Sequence, residues 1–168
     1  MEALRVMGVD TSLRSTGIGI LDAVGSTMRP VYYGLIKNAR DVPLSACLAH
    51  LRAEIETLIT QYTPAAVAIE SVFYGKNVKT MLLLAHARGT VIAQCATLVI
   101  PVFQYEPRRV KQAVVGFGGA EKIQVQCMIR SLLALDTEPP DDAADALALA
   151  ITHLHCHTGI AALSDQPI

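Results

Sequence analysis

Residues 3–21 read ALRVMGVDTSLRSTGIGIL: two apolar runs, Ala3 to Asp10 and Gly17 to Leu21, parted by a short polar turn. That is the pattern of a β-hairpin. Arg29-Pro30 precedes a third strand expected over Val31 to Ile36, where Tyr32 and Tyr33 add β propensity. From Pro43 to Tyr62 the apolar positions Leu44, Leu48, Leu51, Ile55, Leu58 and Ile59 recur at steps of three and four, so an amphipathic helix is expected, stopped by Pro64. Ala66 to Glu70 (AVAIE) is a short continuous apolar run, as expected of a strand buried on both faces. Beyond it the pattern predicts a long helix from Asn77 to about Leu98 and a fifth strand over Val102 to Tyr105. Helices follow over Pro107 to Val115, Glu121 to Leu135 and Asp141 to His155. The glycines at 116, 118 and 119 come after a helix, so they read as a helix stop rather than a dinucleotide-binding turn.

This order of elements predicts an α/β fold, a five-stranded mixed sheet flanked by helices on both faces. In such sheets ligands gather at the carboxyl ends of the strands. The first strand ends at Asp10 and the fourth at Glu70. A carboxylate closing an apolar strand is costly to bury unless it meets a cation or a donor, so the two are read as one site. The last helix adds Asp141, Asp142 and Asp145; either of the first two can share a face with Asp145, and spacing alone does not choose. Pro139-Pro140 ends the preceding loop, which makes Asp141 the expected N-cap and leaves Asp142 and Asp145 aimed at the sheet. Converging oxygen donors without His or Cys suit Mg²⁺ or Mn²⁺ rather than zinc.

The chain has 168 residues and 18.0 kDa, of which 52% are hydrophobic and 17% charged, so one domain is expected and disorder is excluded. The longest apolar windows are broken by His86, Arg88, Gln94 and Asp145, too soon for a membrane span, and no secretory leader is expected. Cys47, Cys95, Cys127 and Cys156 are far apart, which reads as reduced thiols in a cytoplasmic protein. Net charge is −1 but unevenly spread: residues 71–135 carry eight basic side chains against two acids, and the remainder six against thirteen. That asymmetry suits a protein meeting a polyanion with one face. His153, His155 and His157 lie beside Cys156, but only His153 and His157 share a helical face, so no zinc site is expected.

The runs GVDTSLRSTGIG (8–19), AIESVFYGKN (68–77), RRVKQAVVGFGGAEKIQVQ (108–126) and DDAADALALAITH (141–153) resemble the corresponding blocks of the RuvC family of Holliday-junction resolvases, RNase H-like nucleases. The resemblance spans nearly the whole chain to about residue 155. It implies an RNase H-like domain over 1–158, followed by a flexible tail at 159–168, and an Mg²⁺-dependent endonuclease acting on four-way DNA junctions. It implies that Asp10, Glu70, Asp142 and Asp145 hold two Mg²⁺ ions, with Mn²⁺ able to replace them, and the family's D-A-A-D run selects Asp142 over Asp141. Lys122 is then expected to stabilise the transition state and Lys111 to position the scissile strand, with Lys76, Arg108 and Arg109 among the DNA contacts. The family uses a phenylalanine as a junction wedge where Phe73 stands here, beside Tyr74. A symmetric homodimer is expected, because paired nicks need two sites and Met81 to Leu84 spread apolar surface over more than one helical face. RuvA and RuvB branch-migration proteins are implied as partners. The run Asp10-Thr11-Ser12-Leu13 departs from the family's usual Asp-Pro-Gly-Ser, and two hydroxyls are expected to line the approach to the site. The competing readings are a catalytically silent junction-binding relative and a nucleotide phosphotransferase of the actin and sugar-kinase type, which needs a second Asp-plus-glycine hairpin.

Overall fold

The structure, a computed structural model, describes residues 3–71, 77–157 and 166–168. Strands β1 (Leu4–Asp10), β2 (Ser15–Val24) and β3 (Thr27–Lys37) form an antiparallel meander. On its other side β1 pairs in parallel with β4 (Ala66–Glu70), which pairs in parallel with β5 (Val102–Tyr105). The sheet order is β3-β2-β1-β4-β5. Helices α1 (Leu44–Tyr62) and α2 (Val78–Thr97) cover one face, and α5 (Asp141–His157) lies on the other. Near α5 pack α3 (Pro107–Val115) and α4 (Lys122–Leu132).

Strands β2 and β3 are longer than the sequence pattern predicts. Gly25 at φ 61° turns the chain tightly enough for Val24 to pair with Thr27, and the mixed run Asp22 to Thr27 hides this ladder. Helix α4 ends at Leu132 rather than Leu135 because Ala134 takes φ 49°. Leu133 and Leu135 are buried nonetheless, which is why they mimic helical periodicity. The cap of α5 also differs from expectation. The Pro140 carbonyl accepts the Ala144 N–H at 2.9 Å, so Asp141 is the first helical residue and not the cap.

Alternation along the strands decides what reaches the site. In β1, Val6 packs with the α5 side of the core while Met7 and Val9 pack with the α1 and α2 side, so Gly8 and Asp10 share Val6's face. In β4, Val67 and Ile69 join the α1 and α2 core, which turns Ala66, Ala68 and Glu70 toward α5. The α5 face of the sheet is built from small residues. A Cβ on Gly8 would sit 1.9 Å from the Ala146 carbonyl oxygen, and one on Gly17 would sit 1.8 Å from that of Asp142. Only glycine lets helix and sheet approach this closely, and the approach brings the first turns of α5 over the carboxyl ends of β1 and β4. On the opposite face Leu51, Ile55 and Val91 are fully buried, each worth about 1.5–3 kcal/mol of transfer free energy.

Candidate active site

Asp10 at the end of β1, Glu70 at the end of β4 and Asp142 and Asp145 in the first turns of α5 are close enough to act on one another. Burial, and then the charges of Asp145, Glu70 and Asp142, push the Asp10 carboxyl up to about 7, against a smaller opposing pull from Lys122. Glu70 is raised by burial and by Asp145. Asp145 is raised by burial, with Lys122 drawing it back down. Acids crowded this way resist ionising together, and a divalent cation between them relieves that cost.

Lys122, the first residue of α4, places its Nζ 3.1 Å from Asp141 Oδ2 and 3.7 Å from Asp145 Oδ2. Asp141 also accepts from Gln126 Nε2 at 2.9 Å and is held below the usual carboxylate range chiefly by Lys122. Both Asp141 oxygens are thus engaged at the rim. The Lys122 ammonium is raised in turn, first by its bond to Asp141. Lys111 on α3 and Lys122 flank a cleft of about 280 Å³ whose wall includes Glu70 and Asp145 and whose apolar part includes Val110 and Val125.

The other basic candidates divide. Arg108 is exposed on α3, its Cγ lying against Gly118 in the following loop. Arg109 turns inward: its guanidinium carbon lies 5.4 Å from the centre of the Tyr105 ring and Nη2 donates to Cys156 Sγ at 3.2 Å. Its visible role is to pin α3 to β5 and α5. Phe73, Tyr74 and Lys76 fall outside the described residues. Of the two hydroxyl residues expected to line the approach, Thr11 is buried, and only Ser12 is partly exposed.

Sequence reasoning missed two supports. Arg88 on α2 donates from Nε to the Glu70 carbonyl at 3.3 Å and from Nη2 to Gln104, tying together the ends of β4 and β5. Ser15 donates its hydroxyl to Asp142 Oδ2. Neither has a sequence signal, since each partner is remote in the chain. The histidines have local partners: His153 shares a 2.8 Å hydrogen bond with the Tyr105 hydroxyl and stacks on His157, while His155 Nδ1 meets the Ala113 carbonyl at 2.9 Å.

The donor set fits a hard cation: carboxylate oxygens, raised by burial and mutual repulsion, without nitrogen or sulfur. Among the described residues no three His, Cys, Asp or Glu side chains already form a closed cage.

A family model described as "Crossover junction endodeoxyribonuclease RuvC" matches residues 6–153. The crossover junction endodeoxyribonuclease RuvC of Syntrophomonas wolfei is 41% identical over 155 residues, covering 92% of this chain and 90% of that protein. That of Azoarcus sp. is 47% identical over 158 residues, covering 94% and 86%. Among solved structures, T. thermophilus RuvC in complex with Holliday junction substrate is similar with a TM-score of 0.90 and 28% identity, covering 98% of this chain and 99% of that one. The yeast mitochondrial Holliday junction resolvase Ydc2, at a TM-score of 0.64 and 13% identity over 89% of this chain and 78% of that one, shares the fold alone. Ordered sequence blocks, an RNase H-like sheet and acids gathered where β1, β4 and α5 meet agree with these matches, and the chain belongs to the RuvC family of crossover junction endodeoxyribonucleases.

Proposed function

We propose that this chain resolves four-way DNA junctions by metal-dependent hydrolysis of one phosphodiester in each of two strands of like polarity. The observation that carries the reading is the gathering of Asp10, Glu70 and Asp145 under mutual repulsion, with Lys122 at the mouth of the same cleft. Asp10, Glu70, Asp142 and Asp145 would hold two Mg²⁺ ions, or Mn²⁺ in their place. When bound, such ions lower the pKa of the attacking water and neutralise the leaving 3′ oxygen.

The chain's own residues do the rest. Lys122, half exposed, is within reach of a phosphate seated beside Asp145, where its charge opposes the negative charge that grows on the non-bridging oxygens in the transition state. Lys111 across the cleft and Arg108 on the exposed side of α3 position the strand through its phosphates, contacts that carry no sequence information. Phe73, by family resemblance, supplies the wedge, and Tyr74 and Lys76 beside it add a second aromatic and a positive charge. The apolar floor formed by Val110 and Val125 excludes water from one side of the scissile group.

The active species is a homodimer, working in the cytoplasm with RuvA and RuvB branch-migration proteins. No helix among the described residues is long and apolar enough to cross a membrane. The phosphotransferase alternative is not favoured: the described residues form a single sheet with one such hairpin. The deciding experiment incubates the purified protein with a synthetic four-way junction and with linear duplex, with and without Mg²⁺. Paired symmetric nicks on the junction alone, only with the cation, are expected; equal cleavage of both substrates would reject the reading.

A further inference from the structure

Ser15 opens β2, and the alternation that turns Gly17 and Gly19 against α5 turns Ser15 the same way. Its hydroxyl donates to Oδ2 of Asp142, a residue 127 positions further along the chain. The same strand sets the backbone of Asp142, because the missing side chain of Gly17 lets the Asp142 carbonyl press against β2. Backbone and side chain of this one aspartate are therefore both placed by β2.

The segment leading to Ser15 is itself held. Thr16 Oγ1 donates to the Ser12 carbonyl and accepts the Ser12 N–H at 3.3 Å, and Thr16 is buried. On the other side Asn38 Nδ2 donates to the Leu13 carbonyl at 2.8 Å, and the Asn38 N–H to that of Arg14 at 3.0 Å. These bonds give Ser15 a fixed platform from which to orient the carboxylate. A serine acting as a helix cap would accept from backbone N–H groups; this one donates to a side chain, so it serves Asp142 itself.

We propose that Ser15 is a positioning residue for the cation site, its hydroxyl holding the Asp142 carboxylate in the orientation in which it serves a divalent cation. The proposal rests on the reading of Asp142 as a cation-holding acid. A hydrogen bond to a charged acceptor is short and strong, and it orders the carboxylate before the cation arrives. Loss of a partner behind a metal-ligating group typically costs about 10–100-fold in metal affinity.

The test measures Mn²⁺ binding to the full chain by titration calorimetry, for the unaltered protein and for Ser15→Ala, Ser15→Thr, Ser15→Val and Asp142→Asn. Thr and Val have nearly the same shape and differ by the hydroxyl, so their comparison separates the hydrogen bond from packing if Ser15→Ala folds poorly. Ser15→Ala and Ser15→Val should bind Mn²⁺ about 10-fold more weakly or worse. Ser15→Thr should stay near the unaltered protein, and all three should bind a four-way junction equally well without metal. Equal Mn²⁺ affinity for the Thr and Val variants, with Asp142→Asn clearly impaired, would overturn the role of Ser15 and leave the cation site standing. An Asp142→Asn variant that binds Mn²⁺ normally would instead overturn the reading on which the proposal rests.

Discussion

Asp10 bears a cost in the folded protein that it does not bear in the unfolded chain, since burial and three neighbouring acids lift its pKa to about 7. Below about pH 4 the carboxyl is protonated in both states and the cost is absent; it accumulates as pH rises to about 7 and is constant above that. Asp10→Asn should therefore stabilise the metal-free protein on the order of 3 kcal/mol at pH 8, raising its Tm by about 5 °C or more. The gain should fade toward pH 4, as thermal melts in EDTA would show, and a Tm gain that does not depend on pH would contradict this electrostatic account. The same substitution should abolish cleavage. Lys122→Ala should lower the single-turnover rate by about 10² or more while leaving junction affinity nearly intact, and an unchanged rate would remove the lysine from the chemistry. Asp141→Asn is expected to have a smaller effect, a few-fold at most, because its pairing with Lys122 lies in solvent, where such pairs are screened and contribute little. The choice between Asp141 and Asp142 marks a limit of what spacing conveys. Both stand at helical distances from Asp145, and what separates their surroundings is remote in sequence: Lys122 and Gln126 beside one, Ser15 beside the other.

At the scale of elements, most of the architecture was legible because its signals are local. The apolar runs of β1 and β4 and the three-four period of α1 are local signals of burial, and the structure places all three elements where those patterns put them. The hairpin extension through Gly25 and the early end of α4 were not legible, since a polar ladder and a buried loop leucine produce misleading patterns. The closeness of α5 to the sheet was hidden too. Glycines in a strand signal weakness or close approach without saying what approaches. The structure answers with the Ala146 and Asp142 carbonyls, and from this follows a prediction for Gly8→Ala. A methyl group 1.9 Å from a backbone oxygen cannot be absorbed by a side-chain rotation, so α5 must move. Overpacking typically costs about 1–3 kcal/mol, and the upper end is expected here, seen as a fall in Tm. Because the moving helix carries Asp142 and Asp145, Mn²⁺ affinity should fall as well, whereas Gly89→Ala, inside α2 with open space at its Cβ, should leave Mn²⁺ affinity unchanged and raise Tm slightly through helix propensity.

The whole molecule poses a problem of symmetry that one copy cannot solve. A four-way junction has approximate two-fold symmetry, and resolution requires nicks in two strands of like polarity, so two identical sites related by a two-fold axis match the substrate. Helix α2 offers a surface for that arrangement. Its fully packed residues, Ala87, Val91, Gln94 and Cys95, begin only at Ala87, while in the turns before it Val78 is 68% and Leu82 56% exposed beside the partly buried Met81, Leu83 and Leu84. An apolar half-helix left in water is an expected contact surface, and pairing with a second copy would cover it. A charge placed at its centre would then be buried against the partner without a counterion, which is strongly unfavourable. Leu82→Glu should accordingly convert a dimer, at twice the 18.0 kDa chain mass by light scattering, into a folded monomer whose Tm is lower by the lost association free energy and no longer depends on protein concentration. The separated chains should still nick junctions one strand at a time but lose the coupling that delivers both nicks within one binding event. That loss can be read from a supercoiled plasmid carrying an extruded cruciform, where paired nicks give linear product and isolated nicks give open circles. An unaltered protein that runs at the mass of one chain at micromolar concentration, yet linearises that plasmid in a single encounter, would overturn the stable-dimer prediction.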